Sequence, residues 1–182
     1  MNIAVYCGST SGKKESYTIG AVALGVWIAE QGHTLVYGGA NSGLMGTVAN
    51  AVLTNGGRVI GVLPDVPLIQ SKRHPGLTEY ISTADMAGRK NKMMELADAY
   101  VALPGGVGTL DEISDILALS KLGIDEKPCV LFDIDGFYQS FRKVLDTMIE
   151  AEFMLKSELS HVLISESLEE IGSFIEANDQ GK

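Results

Sequence analysis

Tyr100-Val101-Ala102-Leu103-Pro104-Gly105-Gly106-Val107-Gly108-Thr109-Leu110-Asp111-Glu112 changes character twice in a short span. Tyr100 to Leu103 is an apolar run of the length of a buried strand. Pro104 to Gly108 interrupts it, because proline lacks the N–H a strand donates and glycine favours turns. From Thr109 to Leu122 the apolar residues return at helical spacing. A strand passing through a glycine-rich turn into a helix is one half of a β–α–β unit, whose strands lie parallel.

The same order repeats outward from this stretch. Upstream, Asn2 to Cys7 reads as a strand and Gly8-Ser9-Thr10-Ser11-Gly12 as its turn. Lys14 to Gln31 follows as a helix, with Ile19, Val22, Ala23, Val26 and Trp27 on one side and Gly32 at its end. Thr34 to Tyr37 is a strand, Gly38-Gly39 its turn, Leu44 to Asn55 a helix, and Arg58 to Leu63 a strand closed by Pro64. Pro64 to Gly76 has three prolines and no period, so a long loop is expected. Glu79 to Thr83 reads as a short strand, and Asp85 as the N-cap of a helix reaching about Leu96. Downstream come a strand at Pro128 to Phe132, a helix at Phe137 to Glu152, a strand at Val162 to Ile164 and a helix at Ser167 to Ala177. Asn178 to Lys182 is expected to fray. Short apolar strands alternating with helices predict an α/β fold: a doubly wound parallel sheet with helices on both faces, forming a single domain over residues 1–177.

Composition narrows the function. The chain has 182 residues, 46% of them hydrophobic, and a formal net charge of -9. That acidity argues against binding DNA or RNA, whose phosphates need clustered Lys and Arg. A small phosphate remains possible, since backbone N–H groups do not enter a charge count. The two cysteines, Cys7 and Cys129, read as free thiols in a reducing compartment, and His33, His74 and His161 are scattered, so no metal site is expected. The first residues carry no secretory signal, and the longest apolar run, Ala21 to Ala29, falls short of the ~20 residues of a membrane span. A cytoplasmic protein without a membrane partner is expected.

Doubly wound sheets bind ligands beyond the carboxyl ends of their strands. Three glycine-rich turns are expected there: Gly8 to Gly12, Gly38 to Gly46 and Gly105 to Gly108. Two common phosphate motifs do not fit them. A P-loop needs four residues between its glycines, then Gly-Lys-Ser/Thr; here three residues separate Gly8 from Gly12, and Lys13 precedes Lys14. A dinucleotide site needs G-x-G-x-x-G after the first strand and an acidic residue ending the second, which here ends Tyr37-Gly38-Gly39. What remains is two turns, Gly38 to Gly46 and Pro104 to Glu112, that set flexible backbone at a helix start. Glycine admits an anion close to main-chain N–H groups, and the helix end adds partial positive charge.

In these stretches the sequence resembles the Lonely Guy (LOG) family. Pro104-Gly105-Gly106-x-Gly108-Thr109-x-x-Glu112 matches its PGGxGTxxE signature, Met86-x-x-Arg89-Lys90 its Arg-Lys helix, and Gly38-Gly39-x-x-x-Gly43-Leu44-Met45-Gly46 its GGxxxGLMG turn. Cys7-Gly8-Ser9, Leu122-Gly123-Ile124 with Lys127-Pro128, and Asp135-Gly136-Phe137-Tyr138 extend the likeness over nearly the whole chain. The resemblance implies a Rossmann-like fold and a hydrolase, using no cofactor, that releases base and ribose 5-phosphate from cytokinin riboside 5′-monophosphates or AMP. It implies that Arg89 and Glu112 are catalytic and that Gly105, Gly106, Gly108 and Thr109 hold the phosphate. Gly43, Met45 and Met86 would line the site, Lys90 and Glu79 would lie near the nucleotide, and the chain would form a homodimer or larger homo-oligomer. One departure stands out: many relatives carry a tryptophan on the helix after the signature, where this chain has Ala118-Leu119-Ser120-Lys121.

The residues carry alternative readings. Thr109-x-x-Glu112 is also a capping box, in which the glutamate would satisfy a backbone donor. Met86, Arg89, Lys90, Met93 and Ala97 share one helical face; its two cations either meet an anion or snorkel to solvent. A nucleotide carrier without turnover would need the same turns. Lysine decarboxylation, a label attached to such sequences, needs a lysine for pyridoxal phosphate, and none stands in a suitable context.

Overall fold

The protein, represented by a computed structural model, is described over residues 1–178. Seven strands form one sheet: β1 (Asn2–Tyr6), β2 (Thr34–Tyr37), β3 (Arg58–Pro64), β4 (Glu79–Thr83), β5 (Ala99–Ala102), β6 (Cys129–Phe132) and β7 (Val162–Ser165). Every neighbouring pair is parallel, in the order β4-β3-β2-β1-β5-β6-β7. The chain winds outward from β1 to one edge, returns to the middle, and winds outward again from β5. The reversal falls between β1 and β5, so the crevice of the doubly wound fold opens above these two strands.

Side chains alternate across a strand, and two apolar layers follow from that. Ile3, Val5, Leu35, Tyr37, Val101 and Val130 point to one face. There they meet α1 (Glu15–Glu30), α2 (Gly43–Thr54) and α7 (Leu168–Ala177) through Leu24, Val48 and Ile171. Ala4, Tyr6, Val36, Tyr100, Ala102 and Leu131 point the other way. They meet α4 (Met86–Leu96), α5 (Val107–Lys121) and α6 (Gln139–Glu150) through Met93, Ile113, Ile116 and Leu145. The middle strands β5 and β6 are buried along their whole length, whereas the edge strand β4 is largely exposed.

Two expectations need correction. The loop from Pro64 to Gly76 is not structureless: one helical turn, α3 (Pro67–Gln70), begins at a proline, which suits a first turn because it has no N–H to satisfy. Main-chain bonds then tie this segment to the β2 turn, Asn41 N–H to Lys72 O and His74 N–H to Gly39 O, at 2.9 and 2.8 Å. In α1 the stripe of Ile19, Val22, Ala23, Val26 and Trp27 is not the buried one: Ile19 is 61% exposed, and Gly20, Ala21, Leu24, Gly25 and Ile28 face inward. The helix is apolar on all sides, so its pattern cannot choose a face. Close packing on α2 chooses, since a Cβ at Gly25 would fall 2.6 Å from the Ala51 Cβ. Of the tail expected to fray, residues 179–182 lie outside the described residues, while the Asn178 side chain donates to Phe174 O at 2.8 Å.

Candidate active site

The three glycine turns meet at the carboxyl edge, and Gly8 joins them. Its N–H donates to Pro104 O at 3.1 Å, and its carbonyl accepts from Met45 N–H at 3.4 Å. Gly43, with φ +54, lets the β1 turn lie against the start of α2; a Cβ there would collide with the Ser9–Thr10 backbone. Gly105 brings the Thr109 side chain over the β5 turn, and Thr109 is buried. Behind them, the Tyr138 hydroxyl donates to Leu103 O at 2.7 Å and fixes the end of β5.

Arg89 reaches this edge from α4 and Glu112 from α5. Arg89 Nη1 donates to Glu112 Oε1 at 2.7 Å, with both side chains about 10% exposed. The guanidinium lies on Gly38 at the end of β2, where a Cβ would collide with it. Asp85 caps α4, accepting from Gly88 N–H at 2.7 Å, and so fixes the helix that carries Arg89. Burial pushes the Glu112 carboxyl above its ordinary value; the charge and hydrogen bond of Arg89 oppose that shift. Burial likewise pushes the Cys7 thiol and Tyr6 phenol up, with the Glu112 charge adding to both, so neither is a ready nucleophile or base.

This geometry decides two open alternatives. Helix α5 begins at Val107 with Gly106 as N-cap, so Thr109 sits inside the helix and cannot cap it. The Glu112 carboxylate therefore pairs with Arg89 instead of closing a capping box. Arg89 is buried against an anion rather than snorkelling to water.

Other residues drawn from the sequence fall in different places. Gly106 and Gly108 are exposed at the start of α5, where an added Cβ would touch nothing. Met45 packs over Gly38. Met86, the first residue of α4, is 49% exposed. Lys90 is not free for a phosphate: its Nζ lies 2.5 Å from Asp115 and 2.9 Å from Asp111. Glu79 opens β4, paired in register with Ile60 of β3, and its carboxylate lies 3.8 Å from Arg58.

A cavity of about 210 Å³ opens beside the β5 turn, lined in part by Thr10, Ser11, Tyr17, Leu44, Gly105 and Phe137. Sequence reading passed over its polar and aromatic walls. Thr10 and Ser11 carried no signal beyond a small-residue turn, and Tyr17 and Phe137 are remote in sequence. The Arg89–Glu112 pair does not line this cavity.

The sequence relatives agree with this edge. A family described as "Possible lysine decarboxylase" matches residues 45–173. A cytokinin riboside 5′-monophosphate phosphoribohydrolase of Rhodococcoides fascians is 40% identical over 169 residues, covering 92% of this chain and 85% of its own. The enzyme of that name called LOG from Oryza sativa subsp. japonica is 41% identical over 163 residues, covering 90% and 67%. The chain belongs to the LOG family. Solved structures share the fold: the molybdenum cofactor binding protein of Rippkaea orientalis (24% identity, TM-score 0.73, covering 97% of this chain and 95% of that one) and the molybdenum cofactor carrier protein of Chlamydomonas reinhardtii (23%, 0.72, 96% and 98%).

The decarboxylase label given to the LOG family does not suit these residues. A Schiff-base lysine must present a neutral amine. Hydrogen bonds from Lys90 to Asp115 and Asp111 hold its ammonium charged, and among the described residues no lysine lines the cavity.

Proposed function

We propose that this LOG-family chain is a phosphoribohydrolase. It cuts the N-glycosidic bond of cytokinin riboside 5′-monophosphates, of AMP, or of both, and releases the free base and ribose 5-phosphate. The observation that carries this reading is the buried Arg89–Glu112 pair beside three joined glycine turns.

Breaking the bond sends its electron pair to the base nitrogen and leaves positive charge on the ribose ring. The Glu112 carboxylate stabilises that charge, as carboxylates do in other glycosidases. Arg89 holds the carboxylate ionised and aimed. Water adds its oxygen to C1′ and loses a proton, and the departing base gains one. The chain itself supplies the acid, the base and the anion site, so the reading calls for no metal or cofactor. Gly106 and Gly108 present backbone N–H groups to the phosphate at the start of α5, while the Thr109 N–H donates to Gly106 O at 3.1 Å. The ribose lies toward Glu112, and Met45 and Met86 lie on the base side. The substrate is a free nucleotide of the cytoplasm. The chain acts as a homodimer with α4 near the contact.

The test is release of base, followed by chromatography, from AMP and N6-isopentenyl-AMP, with adenosine and ATP as controls. Wild type should act on the monophosphates, and Glu112→Gln should lose at least ~100-fold in rate, the usual scale for a catalytic acid–base group, while keeping its thermal midpoint. Near-normal turnover in the Gln variant, or equal rates on adenosine and AMP, would overturn the reading.

A further inference from the structure

Helix α4 carries Arg89 but is thinly packed within the chain. Of its residues only Arg89 and Met93 are buried, one turn apart on the same face, with Met94 and Leu96 partly so. So small an apolar seat does not fix how far a helix slides or tilts along the sheet, and polar contacts at its two ends decide that. At the head, Asp85 caps the first turn and Lys90 bridges to Asp111 and Asp115 of α5. At the foot, a different set of residues holds it.

The last carbonyls of a helix have no partner four residues on. In α4 the Met94 carbonyl is such a group: Asp98 N–H donates to Asn2 O, at 2.8 Å, and not back to Met94. No basic residue stands in the last turn of α4 to complement it. The cation comes from another segment. Lys127 Nζ donates to Met94 O and to the Tyr100 hydroxyl, both at 2.8 Å, and lies 3.1 Å from the Asp125 carboxylate. The Tyr100 hydroxyl donates on to Asp125 at 2.5 Å, and the Lys127 main-chain N–H donates to the same carboxylate at 3.2 Å. Burial and the bond to Asp125 push the Tyr100 phenol up, so it remains a donor. A positive charge therefore sits where the helix dipole is negative.

The chain that leaves α5 places Lys127. Helix α5 carries Glu112 and ends at Lys121; Lys127 and Pro128 then lead into β6, and Tyr100 N–H donates to Pro128 O at 2.9 Å. The cluster joins the end of the helix that bears Arg89 to the segment that follows the helix bearing Glu112. Along α4, Met94 lies ~7–8 Å beyond Arg89 at the helical rise per residue. A helix transmits a shift at one end to the other, and the 2.7 Å bond from Arg89 to Glu112 leaves little room for one.

We propose that Lys127 is a positioning residue: by holding the carboxyl end of α4 it sets the reach of Arg89 to Glu112. This rests on the phosphoribohydrolase reading for the reaction. The charges that bear most on Glu112 are those of Arg89, Asp111 and Lys90. Loosening α4 weakens the first, which opposes the effect of burial, and the carboxyl then titrates at higher pH.

The experiment compares wild type, Lys127→Met and Lys127→Arg. The control is Lys121→Met, which removes a lysine bonded at 2.8 Å to the Phe153 carbonyl and not to α4. Base release from AMP and N6-isopentenyl-AMP is followed across pH, the Glu112 carboxyl is titrated by carbon-13 NMR without substrate, and thermal midpoints are recorded. The Lys127 side chain is 25% exposed, and methionine keeps the packing of its stem; Lys127→Gln, with the same expectations, takes its place if the Met variant does not fold. Lys127→Met should lower kcat by at least ~10-fold with KM little changed, since a misplacement of about 1 Å can cost ~100-fold. Its acid limb and its Glu112 titration should both move to higher pH. Lys127→Arg, which keeps a donor cation, should recover much of each, and Lys121→Met should alter neither. In an Arg89→Gln background, Lys127→Met should add no further shift, because its effect runs through Arg89. A lower thermal midpoint in Lys127→Met with the limb and the Glu112 titration unmoved overturns the proposal. An equal shift in the Arg89→Gln background, the mark of a direct field, overturns it as well. A shifted Glu112 titration in a protein that releases no base from any monophosphate would overturn the hydrolase reading and leave Lys127 as the residue that places Arg89.

Discussion

Glu112 is a carboxylate under two opposed influences. Burial pushes its acid form up in pKa, and Arg89, 2.7 Å away, pulls it back. If Glu112 works ionised, activity is lost as pH falls through its raised pKa. The acid limb of kcat/KM should then have its midpoint above the ~4.3 of an unperturbed glutamate. Removing the cation removes the opposing influence, so in Arg89→Gln the limb should shift to still higher pH while the maximal rate falls. The measurement is a pH–rate profile of base release for both proteins. A limb at the ordinary carboxylate value, unmoved by the Arg89 change, would separate the pair from the chemistry. Lys90, the neighbour of Arg89, acts differently. Its side chain bridges to Asp111 and Asp115 and so holds α4 against α5 at the level of the Arg89–Glu112 pair.

At the level of elements, the glycines of the turns divide into two physical kinds. Gly43 is required by the fold: its φ is +54, and a methyl there would collide with the turn after β1. Gly108 lies in the first turn of α5 with nothing within 4 Å of a built Cβ. Gly43→Ala should cost ~1–2 kcal/mol for the left-handed backbone, with more for the clash, and should lower both the thermal midpoint and activity. Gly108→Ala should leave the midpoint unchanged or raise it, because alanine is the better helix former by ~1 kcal/mol. It should nevertheless weaken activity, since the methyl occupies the approach to the α5 N–H groups. Thermal melts and base-release rates for the two variants check this. Full activity in Gly108→Ala would move the substrate away from the start of α5.

At the scale of the whole molecule, the two halves of the sheet give the protein a protected centre and an exposed margin. At the β4 margin, Tyr80 and Met86 are partly open and Leu68 is 71% exposed. Apolar side chains gathered at a strand edge are usual in an interface between copies. A homodimer that uses this margin and α4 should give twice the 19.4 kDa chain mass by light scattering at micromolar concentration. A monomeric mass would contradict it. Among the described residues no helix is long and apolar enough to cross a membrane.

The sequence by itself determined the order of elements and most of their bounds, because strand and helix periods and the glycine turns are local signals. Asp85 was legible as a cap, and β2 and β4 fell where their apolar runs placed them. The PGGxGTxxE stretch and the Arg-Lys helix also pointed to Glu112 and Arg89 as a pair. Local pattern was silent or misleading wherever a contact between distant segments made the choice. It could not select the buried side of α1, which close approach to α2 selects. It left Thr109-x-x-Glu112 as either a cap or a site. Only the start of α5 at Val107 and the arrival of Arg89 from a helix 23 positions earlier resolved that. It set Lys90 and Glu79 near the nucleotide but gave no sign of their ion pairs, Lys90 with Asp111 and Asp115 and Glu79 with Arg58. It gave no sign that Thr10, Ser11, Tyr17 and Phe137 share a cavity, because the crossover between β1 and β5 brings them together and no spacing along the chain records it.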